Sequence, residues 1–284
     1  MNEYGHFPEQ NQEKPGKEYK MEPLPLIKGE WYKGSGKLSG KIALVTGGDS
    51  GIGSAVSIFF AREGASVSIV YYNEHKDAQN TQRMIEEEGQ KCLLIPGNVG
   101  DPEFCAEAVE KTLAEFGHVD ILVNNAGYQN PHKNMENITD QDIETTFRTN
   151  IFSYFYMTRA ALKHMREGAA IINTASVTAY EGHPTLLDYA ATKGAIVAFT
   201  RSLSLSLIKQ GIRVNGVAPG PIWTPLIISG FSPEKVKTFG QKSPMGRAGH
   251  PEEVAASYVF LASRDSSYMS GQMLHPNGGT IVNG

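Results

Sequence analysis

Lys41-Ile42-Ala43-Leu44-Val45-Thr46-Gly47-Gly48-Asp49-Ser50-Gly51-Ile52-Gly53 is a short, continuous apolar run that empties into a glycine-rich turn. Such a run reads as a strand buried on both faces. Beyond the turn, Ile52, Val56, Phe59 and Phe60 stand at helical spacing as far as Gly64. Gly47, Gly51 and Gly53 therefore lie between a strand and a helix, where the chain must turn tightly and the helix must pack closely on the strand. The free N–H groups at the start of a helix attract phosphate. A lone glycine-rich turn is weak evidence. After the first strand of an alternating pattern it reads as the seat of a dinucleotide pyrophosphate.

The alternation is there. Strand patterns recur at Val67–Tyr71, Lys91–Ile95, Ile121–Val123, Ala170–Asn173, Ile212–Val217 and near Gln272–Leu274. Between them the spacing predicts helices to about Gly64, over about Lys76–Glu88 and Pro102–Phe116, over a long span from about Asp140 to Met165, and from Tyr189 to about Gln210. A loop region is expected from Pro219 to His250 and a further helix from Pro251. This is the pattern of an α/β protein: a single doubly wound Rossmann domain, with a parallel sheet of about seven strands and helices on both faces. The body is expected over residues 41–284. Residues 1–40, rich in Glu, Gln, Lys, Pro and Gly, form an N-terminal arm. Leu24, Leu26, Ile27, Trp31 and Tyr32 are larger apolar groups than a free tail needs, so the second half of the arm is expected to pack on the body or on a neighbouring subunit.

Composition narrows the function. The net charge of −4 over 284 residues, with no basic stripe, argues against nucleic acid. No apolar run approaches the length of a membrane span, and residues 1–40 lack the form of a secretory signal. Cys92 and Cys105 are in no CxxC arrangement and are expected to stay reduced, as in a cytoplasm. The histidines show no zinc-binding spacing, so no metal is expected.

Tyr189 and Lys193 lie four apart on one predicted helix and share a face. An ammonium beside a phenol favours the phenolate, so the Tyr189 pKa is expected to fall from its usual value of about 10 towards one useful for proton transfer. Together with this pair, Thr46-Gly47-x-x-x-Gly51-x-Gly53, Asn124-Asn125-Ala126-Gly127, Ser176 thirteen residues before Tyr189, and Pro219-Gly220 make the chain resemble the short-chain dehydrogenase/reductase family from about Leu38 onwards. Pro244-Met245-Gly246-Arg247 followed by Pro251-Glu252-Glu253-Val254 is similar to its glucose/ribitol dehydrogenase-like members.

The resemblance implies hydride transfer between a nicotinamide dinucleotide and a carbonyl or secondary alcohol. Tyr189 would be the acid/base, Lys193 would tune it and hold the nicotinamide ribose, and Ser176 would bond the substrate oxygen. Asn150 lies in an apolar seam with Ile143, Phe147 and Tyr154. It is either a satisfied core amide or, as the resemblance implies, the holder of a water in a proton relay from Lys193. Cofactor contacts are implied for Gly47, Asp49, Ser50, Gly51, Ile52 and Gly53 in the turn, and for Tyr72 and Asn73 after the second strand. Further contacts are implied for Asn98, Val99, Asn125, Ala126, Gly127 and Thr174, for Tyr189 and Lys193, and for Pro219, Gly220, Ile222 and Thr224. Asn124 would tie strands together. At the end of the second strand the chain offers Tyr71-Tyr72-Asn73-Glu74, with Asp49 in the turn and no arginine. This argues for NAD, with NADP the alternative.

The substrate wall is expected from 128–132, 178–183 and 223–231, mixing Trp223, Leu226, Ile227 and Phe231 with Gln129, Asn130 and His183. It suits a mid-sized alcohol or carbonyl compound. The resemblance implies a homotetramer. A catalytically idle, cofactor-binding regulator or an assembly subunit is the competing reading, and the complete catalytic set speaks against it.

Overall fold

The computed structural model describes residues 6–282, so the first five residues of the arm and the last two of the body lie outside it. Seven parallel strands form one sheet: β1 (Ile42–Thr46), β2 (Ser66–Tyr71), β3 (Cys92–Pro96), β4 (Ile121–Asn124), β5 (Ala170–Thr174), β6 (Arg213–Val217) and β7 (Met273–Leu274). Their order is β3-β2-β1-β4-β5-β6-β7. The chain winds outwards from β1 to β3, then returns to β4 on the other side of β1, which makes the crevice between β1 and β4 the place where such folds bind ligands.

β1 is buried throughout because each face has its own core. Val45, Val67, Ile69 and Val123 belong to one, with Phe59, Val56 and Tyr258; Leu44, Val70 and Leu122 belong to the other, with Val109, Met157 and Leu207. The strand period of two thus sorts neighbouring apolar residues to opposite faces. Helices α1 (Gly51–Arg62), α2 (His75–Glu87) and α3 (Pro102–Phe116) occupy the expected stretches. Asp101 caps α3, its side chain accepting from Glu103 N–H at 2.9 Å.

Two differences from the expected elements bear on the site. The span from Asp140 contains α4 (Asp140–Phe147), a wide π turn at Arg148–Phe152, and α5 (Ser153–Leu162). Asn150 sits in that wide turn, a form associated with functional positions. The expected loop between Pro219 and His250 holds two short helices, α8 (Pro225–Gly230) and α9 (Pro233–Lys237), counting α6 (Thr178–Glu181) and α7 (Leu187–Leu207) before them. Both begin with proline, whose fixed φ suits the first helical turn, and both are too short for periodicity to reveal. The last helix, α10 (Pro251–Ala262), starts where its proline predicts.

The arm lies on its own chain. Phe7 stacks on Trp223 at 3.7 Å between ring centroids, and Met21 is buried with Trp223, Ile228 and Val236. Tyr32 stacks on Phe59 at 4.6 Å, and Ile27 joins the α1 core. Leu24, Leu26 and Trp31, expected to be covered, remain exposed on this chain. Polar bonds hold that part of the arm instead. The Glu252 carboxylate accepts from Gly29 N–H (2.7 Å) and from Trp31 Nε1–H (3.2 Å), and buried Glu63 accepts from Ser35 and Lys37 N–H (2.9 Å each).

Candidate active site

A cleft of about 640 Å³ opens beyond the carboxyl ends of the strands. At one end lies the glycine turn. Gly47 (φ +63°) and Gly51 (φ +54°) adopt the left-handed backbone that glycine tolerates. Gly53 answers a different demand: a Cβ there would stand 1.9 Å from Gly47 O. It shapes the turn from behind and does not line the cleft, a correction to its expected role as a contact. Thr46 Oγ1 accepts from Asn125 N–H (2.9 Å) and Ala126 N–H (3.1 Å), while Asn125 Nδ2 donates to Gly47 O at 3.1 Å. The turn after β1 and the loop after β4 are thereby fixed to each other. Asn124 donates to Asn173 Oδ1 at 2.9 Å and to Thr158 Oγ1 at 3.2 Å, binding β4 to β5 and to α5.

Gly47, Asp49, Ser50, Gly51 and Ile52 face the cleft, as do Tyr72, Asn98 and Val99. Asn125, Ala126, Gly127 and Thr174 line its middle, and Pro219, Gly220, Ile222 and Thr224 its far wall. Asn73 does not line it, because its N–H turns inward to Glu74 Oε2 at 3.2 Å. Glu74 takes the place on the wall, and its other oxygen, Oε1, is buried with no hydrogen-bond partner in the protein. Burial and the nearby Glu74 push the Asp49 carboxyl up to about 7, and burial raises that of Glu74.

Ser176, Tyr189 and Lys193 converge on the same cleft, and all three are buried. Lys193 is 2% exposed; its ammonium donates to Thr174 O at 2.8 Å and stands 5.4 Å from the centroid of the Tyr189 ring. The expected fall in the Tyr189 pKa is not found. Burial dominates, pushing the phenol up to about 12 while its hydrogen bond with Ser176 pulls the other way. The same burial brings the Lys193 ammonium down to about 7. Desolvation penalises both charged forms and outweighs their mutual attraction in this closed pocket.

Asn150 does not reach the cleft. Its Oδ1 accepts from Tyr128 N–H (2.7 Å), and its Nδ2 donates to Tyr128 O (2.8 Å) and Thr192 Oγ1 (3.1 Å). The amide is a satisfied core group clamping the Tyr128 backbone to α7, the first of the two expected readings.

The substrate end is lined by Tyr128, Gln129, His183, Leu226, Ile227 and Phe231. Trp223 and Asn130 are not on this wall. Trp223 donates through Nε1 to Pro23 O at 2.9 Å beneath the arm, and Asn130 donates to Asp142 at 2.8 Å. Lys14, Pro15 and Gly16 of the arm line the cleft and were not foreseen. A Pro-Gly pair is a turn signal in the sequence, but nothing local tells where such a turn lands.

A glycine turn whose backbone closes on a helix start, opposite a buried Ser, Tyr and Lys set, fits a dinucleotide beside a reactive oxygen. The family model described as enoyl-(acyl carrier protein) reductase matches residues 47–280. The chain belongs to the short-chain dehydrogenase/reductase family, a family of oxidoreductases that bind a nicotinamide cofactor. Among its relatives, the glucose and ribitol dehydrogenase of Daucus carota is 55% identical over 287 residues, covering 99% of each chain. The chloroplastic NADPH-dependent aldehyde reductase 1 of Arabidopsis thaliana is 55% identical over 276 residues, 95% of this chain and 96% of that one. A short-chain dehydrogenase from Burkholderia cenocepacia, solved with NADP, superposes with a TM-score of 0.81 at 32% identity, covering 86% of this chain and 98% of its own. No helix among the described residues is long and apolar enough to cross a membrane.

Proposed function

We propose that this protein interconverts a mid-sized carbonyl compound and its secondary or primary alcohol, with Tyr189 as the proton donor and acceptor. The observation that carries this reading is the convergence of Tyr189, Ser176 and Lys193 on the cleft headed by the glycine turn. When bound, the nicotinamide supplies the hydride to the carbonyl carbon, or takes it from the alcohol carbon. The backbone at Ser50–Ile52 lines the cleft at the start of α1, where the helix dipole would favour the pyrophosphate. Tyr189, its proton held firmly by burial, donates to the carbonyl oxygen as negative charge gathers there. Ser176 donates a second hydrogen bond to that oxygen. Lys193 lies against Tyr189 and Thr174 O, holds the ribose, and as an ammonium stabilises the phenolate left behind. Asn150 positions Tyr128 and α7 from behind.

For the cofactor we infer NAD ahead of NADP. Asp49 and Glu74 line the adenosine end. Once ionised, they would accept from ribose hydroxyls, and their charge would oppose a 2′-phosphate. The names of the Arabidopsis and Burkholderia proteins favour NADP, and a side-by-side measurement of kcat/KM with the two dinucleotides decides. A homotetramer is part of the proposal, supported by exposed Phe152 and Phe155 beside α7. The two free cysteines suit a reducing cytoplasm.

A panel of aldehydes, ketones and polyols, followed by dinucleotide absorbance, tests the reaction. Tyr189→Phe is expected to lower kcat by about 10²–10⁴, the span of positioned acid/base catalysis. Turnover unaffected by that change overturns the mechanism.

A further inference from the structure

Glu18 is a buried acid that the reaction scheme leaves without a task. Its Oε2 accepts from the N–H of Gly51, the first residue of α1, at 2.6 Å. The residue is 8% exposed. Asp77 of α2 fixes it in place, accepting from Glu18 N–H (2.7 Å) and Tyr19 N–H (3.0 Å), and the Lys76 ammonium sits 3.9 Å above the Tyr19 ring. On one side, then, the arm is fastened to the cofactor turn and to α2.

A few residues earlier it is fastened to α8 at the substrate end. Gln12 N–H donates to Ile228 O at 3.1 Å. Gly16 lies so close to α8 that a Cβ there would stand 2.4 Å from Pro225 O. Lys14, Pro15 and Gly16, between these fastenings, form cleft wall. One short strap thus joins the cofactor turn to α8.

Holding an arm down does not require a carboxyl group in this place. Burial, together with Asp77 and Asp49, pushes Glu18 up to about 8 against the pull of the Gly51 bond, which makes the position costly for an ionised acid. Protonated, the group still offers a carbonyl oxygen to Gly51. That bond bears on the residue whose left-handed backbone (φ +54°) aims the neighbouring turn at the ligand.

We propose that Glu18 is a positioning residue of the dinucleotide site: by taking the Gly51 N–H from outside the cleft it holds the glycine turn in its binding shape. This rests on the dinucleotide-binding reading above and adds the arm to the site. Its consequence is that the arm sets cofactor affinity while leaving the chemical step to Tyr189.

Dinucleotide titration of the full chain by reduced-cofactor fluorescence tests it without need of a substrate. Glu18→Ala is expected to weaken the dinucleotide Kd at least about ten-fold, the loss of one buried hydrogen bond with its orphaned donor, with kcat at saturating cofactor within about three-fold. Glu18→Gln, which keeps the carbonyl oxygen, is expected to restore Kd to within about three-fold of the wild type. Tyr32→Phe, which cuts the arm's bond to Glu63 away from the cleft, is expected to lower the melting temperature and leave Kd alone. Equal Kd for wild type and Glu18→Ala overturns the proposal, as does a Glu18→Gln no better than Glu18→Ala, or a Tyr32→Phe that weakens Kd as much. A wild type that binds neither dinucleotide overturns the functional reading itself, and this proposal with it.

Discussion

Adding one methyl group to Gly53 tests the shape of the cofactor turn directly. The Cβ of Gly53→Ala would stand 1.9 Å from Gly47 O and 2.7 Å from Asn125 Nδ2. Ordinary contact begins near 3.5 Å, so the start of α1 must withdraw from Gly47 by about 1.6 Å. The obstacle is backbone, so no rotamer relieves it. A shift of that size breaks hydrogen bonds of ordinary length, and with them the set of the cleft-lining backbone at Ser50–Ile52. Overpacking of this kind costs about 1–3 kcal/mol. At roughly 2–4 °C per kcal/mol for a chain of this class, the melting temperature should fall by several degrees. Dinucleotide Kd should rise at least about ten-fold, the equivalent of one charge-assisted hydrogen bond at about 1.5 kcal/mol or more. The assay is calorimetric melting paired with fluorescence titration. Gly194→Ala is the control, since a Cβ on that α7 glycine meets nothing within 4 Å. A Gly53→Ala protein that melts and binds like the wild type refutes the reasoning.

Two further outcomes follow from the acids of the cleft. Above about pH 7, where Asp49 is ionised, Asp49→Asn with Glu74→Gln removes the charge facing the adenosine ribose and is expected to raise the NADP-to-NAD ratio of kcat/KM by about ten-fold; an unchanged ratio places cofactor choice elsewhere. Glu18 and Asp49 hold their protons up to about 8 and about 7, against about 4.3 and 3.9 in the unfolded chain. The folded state therefore binds more protons across that window, and stability falls as pH rises through it. Lys193, brought down from 10.5 to about 7, acts in the opposite sense only above about 7, and His183, His250 and His275, lowered from 6.5 by burial, act in the opposite sense below it, so the acids are read as the difference between wild type and variant over about pH 5 to 7. The decline expected there should flatten in Glu18→Gln/Asp49→Asn, and an identical slope in both proteins counts against the buried-acid account.

The strands and the cofactor turn could be read from the chain because their causes are local. Ile42–Val45 has no polar side chain to leave in water, and the glycines that follow answer steric demands set within a few residues. Lys193 and Tyr189 could be placed together because a helix fixes the geometry of residues four apart. Their pKa values could not, because desolvation is a property of the closed pocket and reverses the shift that the pair alone suggests. Asn150 was legible as a buried amide but not as a clamp on Tyr128: the wide turn that aims it changes the helical count by a single residue. Asn73 and Glu74 differ by one step at a strand end, and the side of the chain that meets the cleft depends on how α2 begins. Leu24 and Trp31 suggested a buried arm by their size, whereas polar bonds to Glu252 and Glu63 decide its path.

Those attachments also impose an order in time. The strap leaves the ribosome early, and its seats are made at different times: Gly51 and Asp77 lie 33 and 59 residues beyond Glu18, whereas Trp223 lies 200 residues beyond Pro23 and His250, which takes the Leu26 N–H, is 224 residues away. At about 5–20 residues per second, the nascent segment waits at least about ten seconds for the later of these seats. The first strands and the cofactor turn can form in that interval, and the strap's bond to α8 closes afterwards, so the wall formed by Lys14–Gly16 is completed late.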